Sequence, residues 1–158
     1  MKIIALQGKP SCGKTTTLKT LIKTVIENNI FDYVPIVSKE EILEKCQKEH
    51  CDLQCWFNYN GVKIGVTTRG DGAEVLNKDF YEREHNFADC DIVVCAIHSK
   101  GNTINFVKDN GENGLLIHTK WFVSGECCDE DIIAANSMQA EVIINDIKKF
   151  AESIGETK

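Results

Sequence analysis

Eight consecutive residues near the start of the chain constrain it most. Gly8-Lys9-Pro10-Ser11-Cys12-Gly13-Lys14-Thr15 has the spacing G-x-x-x-x-G-K-T, between an apolar run at 2–7 and an amphipathic stretch at 16–28. A strand, a glycine-bearing loop and a helix in that order place main-chain N–H groups and the positive end of a helix around one point. Gly8 and Gly13 are expected to take backbone angles that a side chain would forbid, so that the loop wraps an anion. The anion-binding positions are then Gly8, Lys9, Ser11, Cys12, Gly13, Lys14, Thr15 and Thr16. Lys14 would reach the β- and γ-phosphates of a nucleotide, and the Thr15 hydroxyl would take one position on Mg²⁺.

On these residues the chain resembles the P-loop NTPase superfamily over its first 30 residues or so. The resemblance implies a parallel sheet between helices, a bound nucleoside triphosphate and Mg²⁺. It does not name a reaction. No N-K-x-D sequence is present to read guanine: 77–80 is Asn-Lys-Asp-Phe and 119–122 is Thr-Lys-Trp-Phe. ATP is therefore the expected nucleotide.

The rest of the chain alternates strand-like and helix-like segments, which predicts a three-layer α/β/α fold with right-handed crossovers. Its sheet is expected to have five mainly parallel strands, with an extra antiparallel hairpin arm at 54–59. The expected parallel strands are 2–7, 32–37, 62–67, 91–97 and 115–123. Asn60-Gly61 is the favoured pair for the hairpin turn that joins 54–59 to 62–67. Leu18, Leu21, Ile22, Val25 and Ile26 form one apolar stripe on the first helix. Ser38 and Glu41 form a capping box that opens a second. Residues 73–87 read as a helix broken near Asn77, and 103–108 as a short one. The last helix, 129–153, would turn Ile132, Ile133, Ala140, Ile143, Ile144 and Ile147 to the core. At 158 residues the chain reads as one domain over 1–158, able to bury about 70% of its unfolded surface.

In an open parallel sheet the ligand lies beyond the carboxyl ends of the strands. Asp71 follows the third parallel strand and is the expected Mg²⁺ carboxylate, with Glu74 second. Asp32, Asp52 and Asp91 precede strands and are expected at the opposite edge. Arg69 and Arg83 are candidates to clamp a phosphoryl group. His98, Ser99, Lys100, Asn102 and Thr103 leave the fourth parallel strand at the ligand edge. Trp121 reads as a core residue of the fifth. The loop at 124–129 is where similar small kinases cover the base.

A net charge of −6 with arginine only at 69 and 83 argues against nucleic acid as the main partner. No apolar run is long enough for a membrane span or a secretory leader, so a cytoplasmic location is expected. The eight cysteines then read as reduced thiols. Cys46, His50, Cys51 and Cys55 have ligand types for zinc but no C-x-x-C pair, and packing is the expected role. Three functions fit. The first is a small kinase-like phosphotransferase with a small-molecule or nucleotide acceptor, acting as a monomer. The second is a regulatory ATPase: Lys9 falls where the partitioning ATPases, in their G-K-G-G-V-G-K-T-T form, carry a lysine that reaches across a dimer. The third is an ATP-binding switch with slow turnover.

Overall fold

The computed structural model describes residues 1–122 and 128–156. It is an α/β structure with a mixed six-stranded sheet in the order β2-β3-β4-β5-β1-β6. The strands are β1 (Lys2–Gly8), β2 (Asp32–Val34), β3 (Gln54–Tyr59), β4 (Val62–Thr67), β5 (Ile92–His98) and β6 (Leu115–Thr119). β1 pairs in parallel with β5 and β6, and β4 in parallel with β5. β3 is antiparallel to both β4 and β2. Five strands therefore run one way and only β3 opposes them. β2 sits at the far edge, held by β3 rather than by a parallel neighbour.

Strand alternation sorts the apolar residues into two cores. Ile4, Leu6, Val94 and Ala96 face α1 (Lys14–Glu27), α2 (Lys39–Gln47) and α5 (Asp129–Gly155). Ile3, Ala5, Val93, Cys95 and Ile97 pack on the other side with Leu76, Phe80, Phe87 and Val107. That side carries α3 (Ala73–Asn77), a π-helical turn (Lys78–Glu82) and α4 (Asn102–Asn110). The helices thus lie on both faces of the sheet.

Local signals account for most boundaries. Ser38 Oγ accepts from the Glu41 N–H at 3.2 Å and caps α2. Asn60 and Gly61 both take positive φ, 52° and 79°, as the tight hairpin turn requires. The break expected near Asn77 is the start of the π turn, in which Asp79 and Phe80 are both fully buried.

Some expectations fail: β2 stops at Val34 rather than 37. β6 stops at Thr119 rather than 123, and Trp121 is not core but 42% exposed. Gln139, itself fully buried, causes this: its side chain accepts from the Trp121 N–H at 3.0 Å and donates to Thr119 O at 2.8 Å, drawing the chain out of the ladder. Ile132 and Ile133 are 43% and 63% exposed rather than buried. The buried face of α5 begins only at Asn136 and runs to Ala151, so its first two turns lie outside the core. Of the suggested zinc group, Cys55 is 1% exposed in the core and Cys46 and Cys51 pack against it, while the His50 side chain is 98% exposed. Among the described residues no helix is long and apolar enough to cross a membrane.

Candidate functional site

The turn from β1 into α1 contains two left-handed residues. Gly13 caps α1 with φ 88° and ψ 16°, and Ser11, two residues earlier, has φ 56°. Helical residues start at Lys14, two earlier than the sequence suggests, so the free N–H groups of the first turn belong to the loop. Gly8 serves differently from expectation. It ends β1 without positive φ, and a Cβ there would lie 2.5 Å from Cys12 Sγ and 3.2 Å from Lys120 Cβ.

The Lys14 side chain curls back inside the loop. Its amino group donates to Gly8 O at 2.9 Å and Lys9 O at 2.8 Å, and Cys12 Sγ lies 3.8 Å away. At 8% exposure this residue is among the few buried charged ones, and main-chain carbonyls satisfy it. A phosphate oxygen offers the same ammonium a stronger, charge-assisted bond.

Two cavities open on the loop. One, of about 300 Å³, is lined by residues 10–16 together with His50, Thr68, Gly70, Asp71 and Ala96. It brings Ser11, Cys12, Gly13, Lys14, Thr15 and Thr16 together with Asp71 as expected from sequence. The Asp71 side chain is 91% exposed, with His98 Nε2 3.9 Å from its Oδ1. Thr15 Oγ1 lies 3.5 Å from Thr68 O, its hydrogen-bond acceptor. Oxygen donors of this kind fit Mg²⁺, which in phosphate sites takes one or two protein carboxylates plus phosphate and water. Among the described residues no three His, Cys, Asp or Glu side chains cluster tightly enough to hold a metal by themselves.

The second cavity, of about 220 Å³, lies on the other flank of the loop. Cys12, Gly13, Thr16, Lys120, Trp121, Phe122, Ile132, Ala135 and Asn136 line it. Lys120 is 4% exposed; its stem lies over Gly13, with Cε 3.6 Å from where a Cβ would stand, and its amino group donates to Trp121 O at 2.7 Å. Burial pushes its pKa down. Asn136, 5% exposed, accepts from the Thr17 hydroxyl at 3.0 Å. Sequence reasoning missed Lys120 and Asn136. The lysine immediately after the last strand was a legible signal, whereas Asn136 reaches the loop only by the packing of α5 on α1. The base-covering loop expected at 124–129 falls, up to 127, outside the described residues.

Arg69 and Arg83 are not among the residues that line either cavity. Both converge on the fully buried Asp79: Arg69 Nη1 lies 3.0 Å and Arg83 Nε 2.6 Å from Oδ1, while the Thr67 hydroxyl donates to Oδ2 at 2.8 Å. Glu74 pairs with Lys78 at 3.3 Å on the surface. Thr103 is 2% exposed and accepts from the His98 N–H at 3.1 Å, which fixes the turn after β5.

Asp52 is at the edge opposite to the one expected. It precedes β3, and β3 alone runs against the other strands, so its start lies where β4 ends. The Thr68 hydroxyl donates to Asp52 Oδ1 at 3.2 Å. The rule that strand beginnings face away from the ligand holds only for the parallel strands.

Compared with protein-family models, with curated proteins and with solved structures, the chain matches none.

Proposed function

We propose that this chain has a P-loop nucleotide-binding fold, that it binds ATP with Mg²⁺ at residues 8–15, and that it passes the terminal phosphoryl group to a small-molecule or nucleotide acceptor. The observation that carries the reading is Lys14. Its ammonium is drawn into the loop by two carbonyls, at the mouth of a cavity that also holds Thr15 and Asp71. Phosphates entering the loop take over those contacts and meet the N–H groups of the first turn of α1.

The two cavities divide the nucleotide. The base lies between Trp121, Ile132 and Ala135, an apolar slot with Asn136 as a polar group at its edge. The terminal phosphate lies in the other cavity, where Thr15 and Asp71 would hold Mg²⁺. The ion supplies neutralisation of charge on the β- and γ-phosphate oxygens. In transfer, the bond from the γ-phosphorus to the β–γ bridging oxygen breaks, one to the acceptor oxygen forms, and the acceptor's hydroxyl proton passes to water. ADP departs with the bonding pair. Fixed positive charge comes from Lys14; Arg69 would have to release Asp79 to contribute.

Incubation with γ-labelled ATP and a panel of nucleosides, nucleotides and small alcohols tests this reading. Label on an acceptor supports transfer, free phosphate alone supports hydrolysis, and neither product refutes both.

One observation favours the second reading, a regulatory ATPase that engages a partner or a second copy. Phe122 and Ile132, which line the cavity beside the loop, are 65% and 43% exposed, and Ile133 next in the chain is 63% exposed. If Lys9 reaches a neighbour's phosphates, Lys9→Ala will leave ATP binding intact while abolishing hydrolysis and ATP-dependent dimerisation together. In the kinase-like monomer the same substitution has little effect, and sizing chromatography with ATP shows one chain.

A further inference from the structure

The turn after β4 connects Thr15 to a carboxylate just before the neighbouring strand β3. Thr68 is 2% exposed and is gripped from both sides of its backbone. Its N–H donates to Leu53 O at 3.0 Å, and its hydroxyl accepts from the Leu53 N–H at 2.9 Å. The one proton of that hydroxyl goes to Asp52 Oδ1 at 3.2 Å. The Thr68 carbonyl, in turn, is the acceptor for the Thr15 hydroxyl at 3.5 Å. The segment that carries Asp52 is pinned separately: the Lys19 amino group, on a residue 6% exposed, donates to the carbonyls of Lys48 and Glu49.

A threonine hydroxyl has one proton and two lone pairs. With its proton committed to Thr68 O, Thr15 presents its lone pairs to the cavity, as a cation ligand must. Without that acceptor the hydroxyl can turn and offer its proton instead. Groups that fix a ligand's orientation in this way lie outside the coordination sphere, yet they set affinity.

We infer that Asp52 is a positioning residue for the cation: acting through Thr68, it holds the Thr15 hydroxyl in the orientation that binds Mg²⁺. The inference rests on the nucleotide reading above. Asp52 needs only an oxygen acceptor for this task, so asparagine can replace it and alanine cannot.

The experiment measures binding of a non-hydrolysable ATP analogue by calorimetry over a Mg²⁺ titration and again in EDTA. Free Mn²⁺, counted by electron paramagnetic resonance, gives cation affinity directly. In Asp52→Ala the cation concentration for half-maximal effect rises about tenfold or more. Affinity in EDTA and the melting temperature of the nucleotide-free protein stay near those of the unaltered chain. Asp52→Asn restores the original cation dependence, and Thr68→Val reproduces the loss seen in Asp52→Ala. Unchanged cation dependence in Asp52→Ala overturns the inference alone. Loss of affinity in EDTA by the same factor overturns it too, because a merely structural role would weaken both. No analogue binding by the unaltered protein overturns the nucleotide reading and this inference with it.

Discussion

Removing the Asp79 carboxylate will test how the turn after β4 is held. The side chain is fully buried and accepts three hydrogen bonds, from Thr67, Arg69 and Arg83. At about 1.5–3 kcal/mol for a bond to a charged group, three such bonds would suggest a very large cost. The partners differ in what they lose, however. The Arg69 and Arg83 side chains are 25% and 41% exposed, so in Asp79→Ala both guanidiniums regain water and each pair is worth only about 0.5 kcal/mol after screening. Thr67 has no exposure at all, and its hydroxyl proton is left without an acceptor, costing about 1–3 kcal/mol, while its oxygen still accepts from the Arg69 N–H at 3.2 Å. The space vacated next to Phe80 adds a further loss of packing. The expected total is about 3 kcal/mol, which for a chain of this size lowers Tm by about 6–12 °C. Urea unfolding followed by circular dichroism measures it. The double variant Asp79→Ala with Thr67→Val should lose about 1 kcal/mol less than the sum of the two single variants, because the bond the two side chains share is counted once and no unpaired hydroxyl proton remains; Thr67→Val alone also takes the acceptor from the Arg69 N–H. A loss under about 1 kcal/mol in Asp79→Ala, or strict additivity in the double variant, refutes this account.

Lys14→Ala should weaken ATP binding at least about tenfold, since each charge-assisted phosphate contact is worth about 1.5–3 kcal/mol; an ATP-induced rise in melting temperature that survives the substitution contradicts the site. Asp71→Asn should keep nucleotide binding and lose most turnover in the label-transfer assay, and a fully active variant would remove Asp71 from the chemistry. If the base stacks on Trp121, ATP will quench tryptophan fluorescence, and Trp121→Ala will abolish the quench and weaken binding by about 1–3 kcal/mol, the range for base–aromatic stacking. Burial pushes the thiols of Cys46, Cys90 and Cys95 up to about 11, 12 and 12 from an ordinary 9.0. A raised folded-state value contributes stability that is full below pH 9 and is lost as pH rises through 11–12. Unfolding midpoints should therefore fall steadily above pH 9, and a flat profile to pH 11 would contradict the burial.

The local geometry of the candidate site was legible in the sequence. The spacing of Gly8, Gly13, Lys14 and Thr15 specifies a loop within one strand–turn–helix unit, so no distant contact is needed to recognise it. The hairpin at Asn60-Gly61, the Ser38 cap and the break at Asn77 are likewise set within a few residues. Relations between separated segments were decided only by the tertiary structure. Asp52 lies at the edge where β4 ends because β3 turns back, and strand direction is a property of pairing, not of composition. Arg69 and Arg83 read as free cations in the sequence, but a π turn brings Asp79 inward to receive both. Trp121, Ile132 and Ile133 have the apolar character of core residues; they are exposed where Gln139 takes up Thr119 at the end of β6 and Trp121 beyond it, and where the buried face of α5 begins only at Asn136. Apolar residues declare what can be buried; which of them finds a covering surface depends on where the strands end.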